Sequence, residues 1–512
     1  MAHVLGGSGL KLRQLLGLCG CGIALGLSGW AFAESPQFSE SLAETTIVAF
    51  TGGAGEHAGY AVADAGDINQ DGLADSLVGA WVADPLGRNN AGTSYLIWGQ
   101  ALTATLQAPD LAERGVAIYG ASEGASSGWS VTGLGDVNGD EIDDFAIGAW
   151  GESPNNRATA GSVFVVWGGS LTTTLDLAAL GNHGYRIDGA VAGDRLGYAL
   201  AGVEDLNNDG LNEIVIGAIG VDASADNAGA AYVVWGKTTT TTLDLATASN
   251  YGYRIDGAAA SDRAGSAVGS TSDMNGDGKP EILVGSYVAD PFGRSAAGSV
   301  AVVWGANTTA SYPIGALAQN GFVIAGAGAS DRAGISLVGT GDLNGDQRGD
   351  LAVGSDQFPA GGAGRVDLIY GSAFSGTLDL AQPLSNTVRF VGEQAGDEAG
   401  FSVGYSDQRL IIGAYGVDSS LGTDTGRVYV VNTPSISNTI NLANLTIEQG
   451  FSLDGVVGGG RLGRAVAGLG DATGDGHGDL LLGADLAGSQ IEGYAYIVGR
   501  LPTTVYLPMI MR

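Results

Sequence analysis

GWSVTGLG, Gly128 to Gly135, alternates in the two-residue rhythm of a half-buried strand, and FAIGAW, Phe145 to Trp150, reads as a second strand beyond a polar loop. GSVFVVWG, Gly161 to Gly168, is apolar almost throughout, as expected of a strand covered on both faces. A Thr-rich connector, GSLTTTLDLAAL, leads to GYRIDGA, Gly184 to Ala190, a more polar fourth strand. The same succession recurs along the chain and predicts an all-β fold: a seven-bladed β-propeller of four-stranded antiparallel blades, in which radial repetition hides sheet edges. The last unit stops after its third strand, GYAYIVG, Gly493 to Gly499, whereas TIVAFTGG, Thr46 to Gly53, aligns with the fourth strands of other units. The N-terminal strand is therefore expected to complete the final blade and close the ring.

The polar loop between the first two strands of each unit repeats a nine-residue frame, D-x-N-x-D-x-x-x-D/E. It starts at Asp67, Asp136, Asp205, Asp273 and Asp342, with spacings of 69, 69, 68 and 69 residues, and again at Asp471 with Thr473 in place of the amide. Between Asp342 and Asp471 lies room for one more unit, AGFSVGYSDQRLIIGAYGVD, Ala399 to Asp418, whose acidic turn has shrunk to YSDQR. The reading is seven repeats and six acidic loops.

Positions 1, 3, 5, 7 and 9 of such a loop can converge as an oxygen cage. The expected ligands are Asp67, Asn69, Asp71, Leu73 and Asp75 in the first loop, and Asp136, Asn138, Asp140, Ile142 and Asp144 in the second. The third offers Asp205, Asn207, Asp209, Leu211 and Glu213, and the fourth Asp273, Asn275, Asp277, Lys279 and Glu281. The fifth has Asp342, Asn344, Asp346, Arg348 and Asp350, and the sixth Asp471, Thr473, Asp475, His477 and Asp479; the seventh position serves through its main-chain carbonyl. All donors are hard oxygens, which selects Ca2+ over zinc or copper, and their number selects it over magnesium. Glycine at the fourth or sixth position relieves the positive φ that such curling demands. An EF-hand is excluded, because its twelfth-position acid is replaced by Val78, Ile147, Ile216, Val284, Val353 and Leu482.

Charge strengthens the cation reading. The chain has 22 Lys plus Arg against 54 Asp plus Glu, a formal net charge of -32, which argues against nucleic acid or an anionic membrane as partner. Such self-repulsion destabilises a compact state unless it is neutralised, and about six Ca2+ sites would do so. Residues 1–33 resemble a secretory signal: Lys11 and Arg13 precede an apolar run that ends in Ala31-Phe32-Ala33, with cleavage expected after Ala33. A single membrane span or a lipidated N-terminus are the alternatives at this segment. Both cysteines, Cys19 and Cys21, fall inside it, so the mature chain has no thiol chemistry. The expected organisation is a signal peptide over 1–33, a linker over 34–45, the propeller over 46–500 and a tail over 501–512, too short to span a bilayer. The protein should be secreted or held at the cell surface, with no transmembrane segment in the mature chain.

GYAVADAGDINQDGLADSLVGA and its siblings resemble the FG-GAP repeats of the integrin alpha-chain propeller. That resemblance implies a seven-bladed fold with calcium in the hairpin between the first two strands of a blade. The chain departs from it in lacking the Phe, with Ala58-Gly59, Ser127-Gly128 and Leu196-Gly197 instead, and in carrying six acidic loops where integrins usually carry three or four.

No nucleophile, base and orienter set is found. His57 and His183 lie in non-equivalent places, and His477 falls in an acidic loop, so no enzyme is expected. Polysaccharide lyases and a phospholipase D of glycolipid anchors, which contain related propellers, keep a cleaving enzyme as the remote alternative. At the end opposite the metal loops, Trp81, Trp150, Tyr287 and Tyr415 open the loops between second and third strands, and Asp194-Arg195, Asp262-Arg263 and Asp331-Arg332 enter first strands. This rim either grips a protein or glycan ligand or simply packs between blades. Trp98, Trp167, Trp235 and Trp304, each closing a third strand, read as packing residues. The leading function is an adhesion or protein-interaction module; a lectin-like carbohydrate binder is the alternative.

Overall fold

Two glycines per repeat decide how closely neighbouring blades approach. The glycine that opens each first strand (Gly59, Gly128, Gly197, Gly265, Gly334, Gly400 and Gly463) has φ between 83° and 86°, which side-chain-bearing residues rarely adopt. Its carbonyl faces a second glycine, in the second strand of the preceding blade: Gly483, Gly79, Gly148, Gly217, Gly285, Gly354 and Gly413. A Cβ on any of these would lie 2.0–2.4 Å from that carbonyl oxygen, so glycine is required at both places.

The computed structural model describes residues 46–499, apart from 101–104, 109–110, 170, 172, 434–438 and 447. The signal peptide, both cysteines, the linker and the tail therefore lie outside the described residues. The described chain folds into a seven-bladed all-β propeller of mainly antiparallel strands. In blade 2 the strands are Ser130–Gly135, Asp144–Ala149, Ser162–Val166 and Gly184–Asp188, paired antiparallel in that order. The second strand of every blade is buried almost along its full length, and isoleucine, leucine, valine and phenylalanine from adjacent blades interdigitate there. First strands line a central channel of about 510 Å³, with Val62, Val131, Val203, Val268, Val338, Val403 and Val466 contributed one per blade. Thr46–Thr51 pairs antiparallel with Tyr494–Gly499, in register from Thr46 opposite Gly499 to Thr51 opposite Tyr494.

One expectation is corrected. Six of the seven sheets have five strands, because the Thr-rich connector contains a short strand that pairs parallel with the outer strand of the preceding blade. Leu175–Asp176 adds to Gly115–Tyr119, Leu243–Asp244 to Gly184–Asp188, and Leu106–Gln107 to Thr46–Thr51. Side chains reinforce three of these additions: Arg88 grips Asp176 in a two-point ion pair, Arg157 grips Asp244 and Arg294 grips Asp379. Blade 6 has four strands among the described residues.

Candidate metal hairpins and the opposite rim

In the six acidic hairpins the three acids of each frame have different surroundings. The ninth-position acid opens or immediately precedes the second strand, and Asp75, Asp144, Glu213, Glu281, Asp350 and Asp479 are all fully buried. The fifth-position Asp is exposed in every loop, and the first is half-buried in most. Each first Asp folds the loop around itself, its Oδ2 accepting the N–H of position 6 at 2.7–2.9 Å. The fifth Asp accepts the N–H of position 7 at 2.9–3.0 Å, and the ninth acid that of position 2 at 2.5–3.0 Å.

Positive φ is needed at the fourth and the sixth positions in all six loops. Non-glycine residues carry it at one of the two in four loops: Gln70, Glu141, Asn208 and Gln347. The third-position amides lie inside the curl. Asn138 and Asn207 donate to the ninth-position acid, each at 3.1 Å, and Asn275 and Asn344 to the fifth, also at 3.1 Å. Thr473 Oγ1 takes the equivalent place against Asp479 at 3.4 Å. An asparagine amide has nearly the same shape when flipped, and flipping directs its carbonyl oxygen at the same centre. The seventh residues, Leu73, Ile142, Leu211, Lys279, Arg348 and His477, donate their main-chain N–H to the fifth-position Asp, and the Arg348 side chain also reaches the Met274 carbonyl of the neighbouring blade at 3.0 Å.

In the two hairpins that end in glutamate, one oxygen from each acid lies within 4.8 Å of the others: Asp205 with Asp209 and Glu213, and Asp273 with Asp277 and Glu281. Among the described residues only these two triads converge so closely, since the extra methylene of Glu reaches further into the loop than Asp does. Burial pushes the ninth-position acids up to about 6 at Asp350, about 7 at Asp75, Asp144 and Asp479, and about 8 at Glu213 and Glu281. The first- and fifth-position carboxylates push them in the same direction. Glu281 Oε1 is buried without a hydrogen-bond partner. Such an oxygen, among three carboxylates and no cationic side chain bonded to them, fits a divalent cation.

The loops also join blade to blade. The N–H of Ala74 donates to the Asp471 carbonyl, that of Asn212 to Asp136 and that of Gly349 to Asp273, at 2.7–3.0 Å. In the decayed seventh hairpin, where Ser402–Ser406 turns directly into Arg409–Ala414, Asp407 accepts the N–H of Gly478 from blade 7 at 3.0 Å.

At the other end of the blades, Trp81 and Trp150 belong to a stack that sequence reading missed. Trp129 contacts Tyr60, Trp81, Trp150 and Tyr198 with ring centroids 4.8–5.6 Å apart. Phe401 meets Tyr415 at 4.7 Å, and Arg464 lies 4.4 Å over both Tyr60 and Phe401. Tyr60, Trp129, Tyr198, Phe401 and Arg464 each directly follow the positive-φ glycine, and that shared place in the frame was the signal available. Tyr287 lies beneath Arg332, with the ring centroid 4.8 Å from the guanidinium.

The FG-GAP repeat family matches residues 264–303, which hold the second-strand Gly285 and the positive-φ Gly265 described above. Integrin alpha-M of Mus musculus is 42% identical over 96 residues, 18% of this chain and 8% of the relative. Integrin alpha-PS2 of Drosophila melanogaster is 31% identical over 176 residues, 32% of this chain and 11% of the relative. This is an integrin alpha-like FG-GAP β-propeller. Phosphatidylinositol-glycan-specific phospholipase D of Bos taurus is similar too, 30% identical over 196 residues, 36% of this chain and 21% of that protein. The FG-GAP chain thus spans between 8% and 21% of the length of these relatives. Among its described residues no helix is long and apolar enough to cross a membrane.

Proposed function

We propose that the protein is an exported, calcium-stabilised propeller that serves as an adhesion or protein-interaction module. The observation that carries this reading is the set of six in-phase oxygen-donor hairpins on an integrin alpha-like scaffold. Each of the thirty frame positions named from the sequence is a proposed Ca2+ ligand, and residues 1–33 are the proposed export signal. The glutamate triads and the orphaned Glu281 Oε1 support the ion assignment, because calcium accepts many hard oxygens at flexible distances. The two-fold charge of each ion offsets carboxylates that burial would otherwise leave protonated. The ligand face is the aromatic and arginine rim, remote from the metals, and the protein acts there without catalysis.

Demetallated protein titrated with CaCl2 in a calorimeter tests the metal half. About six sites are expected, and a heat trace without binding would refute it. A lectin-like reading is favoured by the partly exposed aromatic faces at the rim, which suit a sugar ring as well as a protein side chain.

A further inference from the structure

The rim separates acid from base in a way the sequence conceals. In the pairs Asp194-Arg195 and Asp262-Arg263 the two side chains part company. Asp194 is 4% and Asp262 9% exposed, each accepting the N–H three residues before it, from Val191 and Ala259 at 2.9 Å. Asp331 repeats the arrangement with Gly328. The residue after each Asp has positive φ, between 56° and 60°, and Arg195 and Arg263 are exposed. Arg461 holds the same place in blade 7, also at φ 60°.

Nine arginines of the described chain have a carboxylate within 4.0 Å, Arg332 among them through Asp356. None of Arg195, Arg263, Arg461 and Arg464 does, and all four collect at this rim. Each engages an aromatic ring instead: Arg195 lies 5.5 Å over Trp150, Arg461 5.4 Å over Tyr415 and Arg464 against Tyr60, while Arg263 donates to the Tyr287 hydroxyl at 3.1 Å. Burial raises the Tyr198 phenol, and the charges of Arg263, Arg464 and Arg195 oppose that rise. Acids near this patch include Asp356, which pairs with Arg332 at 3.1 Å, Glu398, on which the charges of Arg332 and Arg461 act, and Asp485, which lies 4.0 Å from His57.

Resting on the reading of this rim as the ligand face, we infer that it binds an anionic glycan. Flat aromatic faces take the apolar side of a pyranose ring. Guanidiniums that radiate from successive blades take a carboxylate or sulfate on each repeat of the polymer. The overall negative charge does not prevent this, because at physiological ionic strength charges beyond about 8 Å are screened and the local patch governs contact.

The test is calorimetric titration of the full chain, calcium-loaded, with hyaluronan oligosaccharide, dextran sulfate, neutral dextran and polyglutamate, before and after the R195A/R263A double substitution. Both side chains are exposed, so the double variant should melt with the parent. Hyaluronan or dextran sulfate should bind, and the variant should lose at least tenfold in affinity. The carboxylate and sulfate arms distinguish the two anion sources. The inference is overturned if neither anionic glycan binds, if neutral dextran binds equally, if the variant binds as the parent does, or if polyglutamate binds as tightly. Since the metal titration is separate, loss of glycan binding leaves the calcium reading standing, and the reverse also holds.

Discussion

The blade 2 hairpin and the blade 6 hairpin join equivalent strands in different ways. In blade 6 only Asp407 and Gln408, at φ 48° and 60°, separate Ser402–Ser406 from Arg409–Ala414. Two consecutive positive-φ residues make the tight turn that matches strand twist, so the backbone alone fixes the hairpin. In blade 2 the chain loops out from Asp136 to Asp143, and its fold depends on carboxylates that accept main-chain N–H groups. Clustered negative charge makes that excursion unstable by itself. The contrast shows that the propeller needs a hairpin at every blade but loop carboxylates only where the connection is long.

The largest effect that separates the two hairpins is metal removal. Saturating calcium at a hundredfold excess over its dissociation constant stabilises by about 2.7 kcal/mol per site. Six sites translate into a melting temperature lowered on the order of 10–20 °C by chelator. Hydrogen exchange should then show the amides of the six acidic hairpins losing protection while Leu410 to Ala414 keep theirs. Uniform loss across all seven blades would break the comparison.

Next in size is pH. The ninth-position acids are raised in the fold to between about 6 and 8, against about 4 in an unfolded chain. The metal-free fold therefore holds protons that the unfolded chain has released. Its stability is fullest below pH 4 and declines as pH rises through 6 to 8. Calcium requires the same groups ionised, so the calcium-induced increment in melting temperature should grow from pH 5 to pH 8. An increment that is flat across that range would remove the ninth-position acids from the site.

Single substitutions sharpen the contrast further. Asp144→Ala strips the acceptor from Val137, Asn138 and Gly168 in a buried place and should cost about 3 kcal/mol in urea unfolding. Asp407→Ala in blade 6 removes one exposed acceptor, that of the Gly478 N–H, and should cost less than about 1 kcal/mol. The smallest effect is a gain: Glu141 sits at φ 66° in the blade 2 loop, and Glu141→Gly should add about 0.5 kcal/mol by relieving that conformation. A loss there would mean that the Glu141 side chain itself serves the site.

Much of this was legible in the chain because it repeats. The 69-residue spacing gave the blade count, and alternating positions gave the antiparallel strands. The fifth strands were invisible: Leu175–Asp176 is two residues long, too short for a periodic pattern, and its partner lies in the previous unit. Composition could not reveal that the three acids of a loop differ, since only the fold buries Asp144 while leaving Asp140 in water. The rim aromatics that follow the positive-φ glycine escaped for another reason. Tyr60, Trp129 and Phe401 share a frame position with Ser266, Ile335 and Arg464, so the place repeats but the chemistry does not.

The pairing of Thr46–Thr51 with Tyr494–Gly499 bears on how the molecule is made. A ribosome releases the first of these strands while nearly all of the propeller is still unwritten, and its mate comes last. Through most of synthesis that early segment must stay accessible without joining another growing sheet. The nascent protein cannot settle blade by blade into a finished product, because the two ends of the ring meet only when translation has passed Gly499.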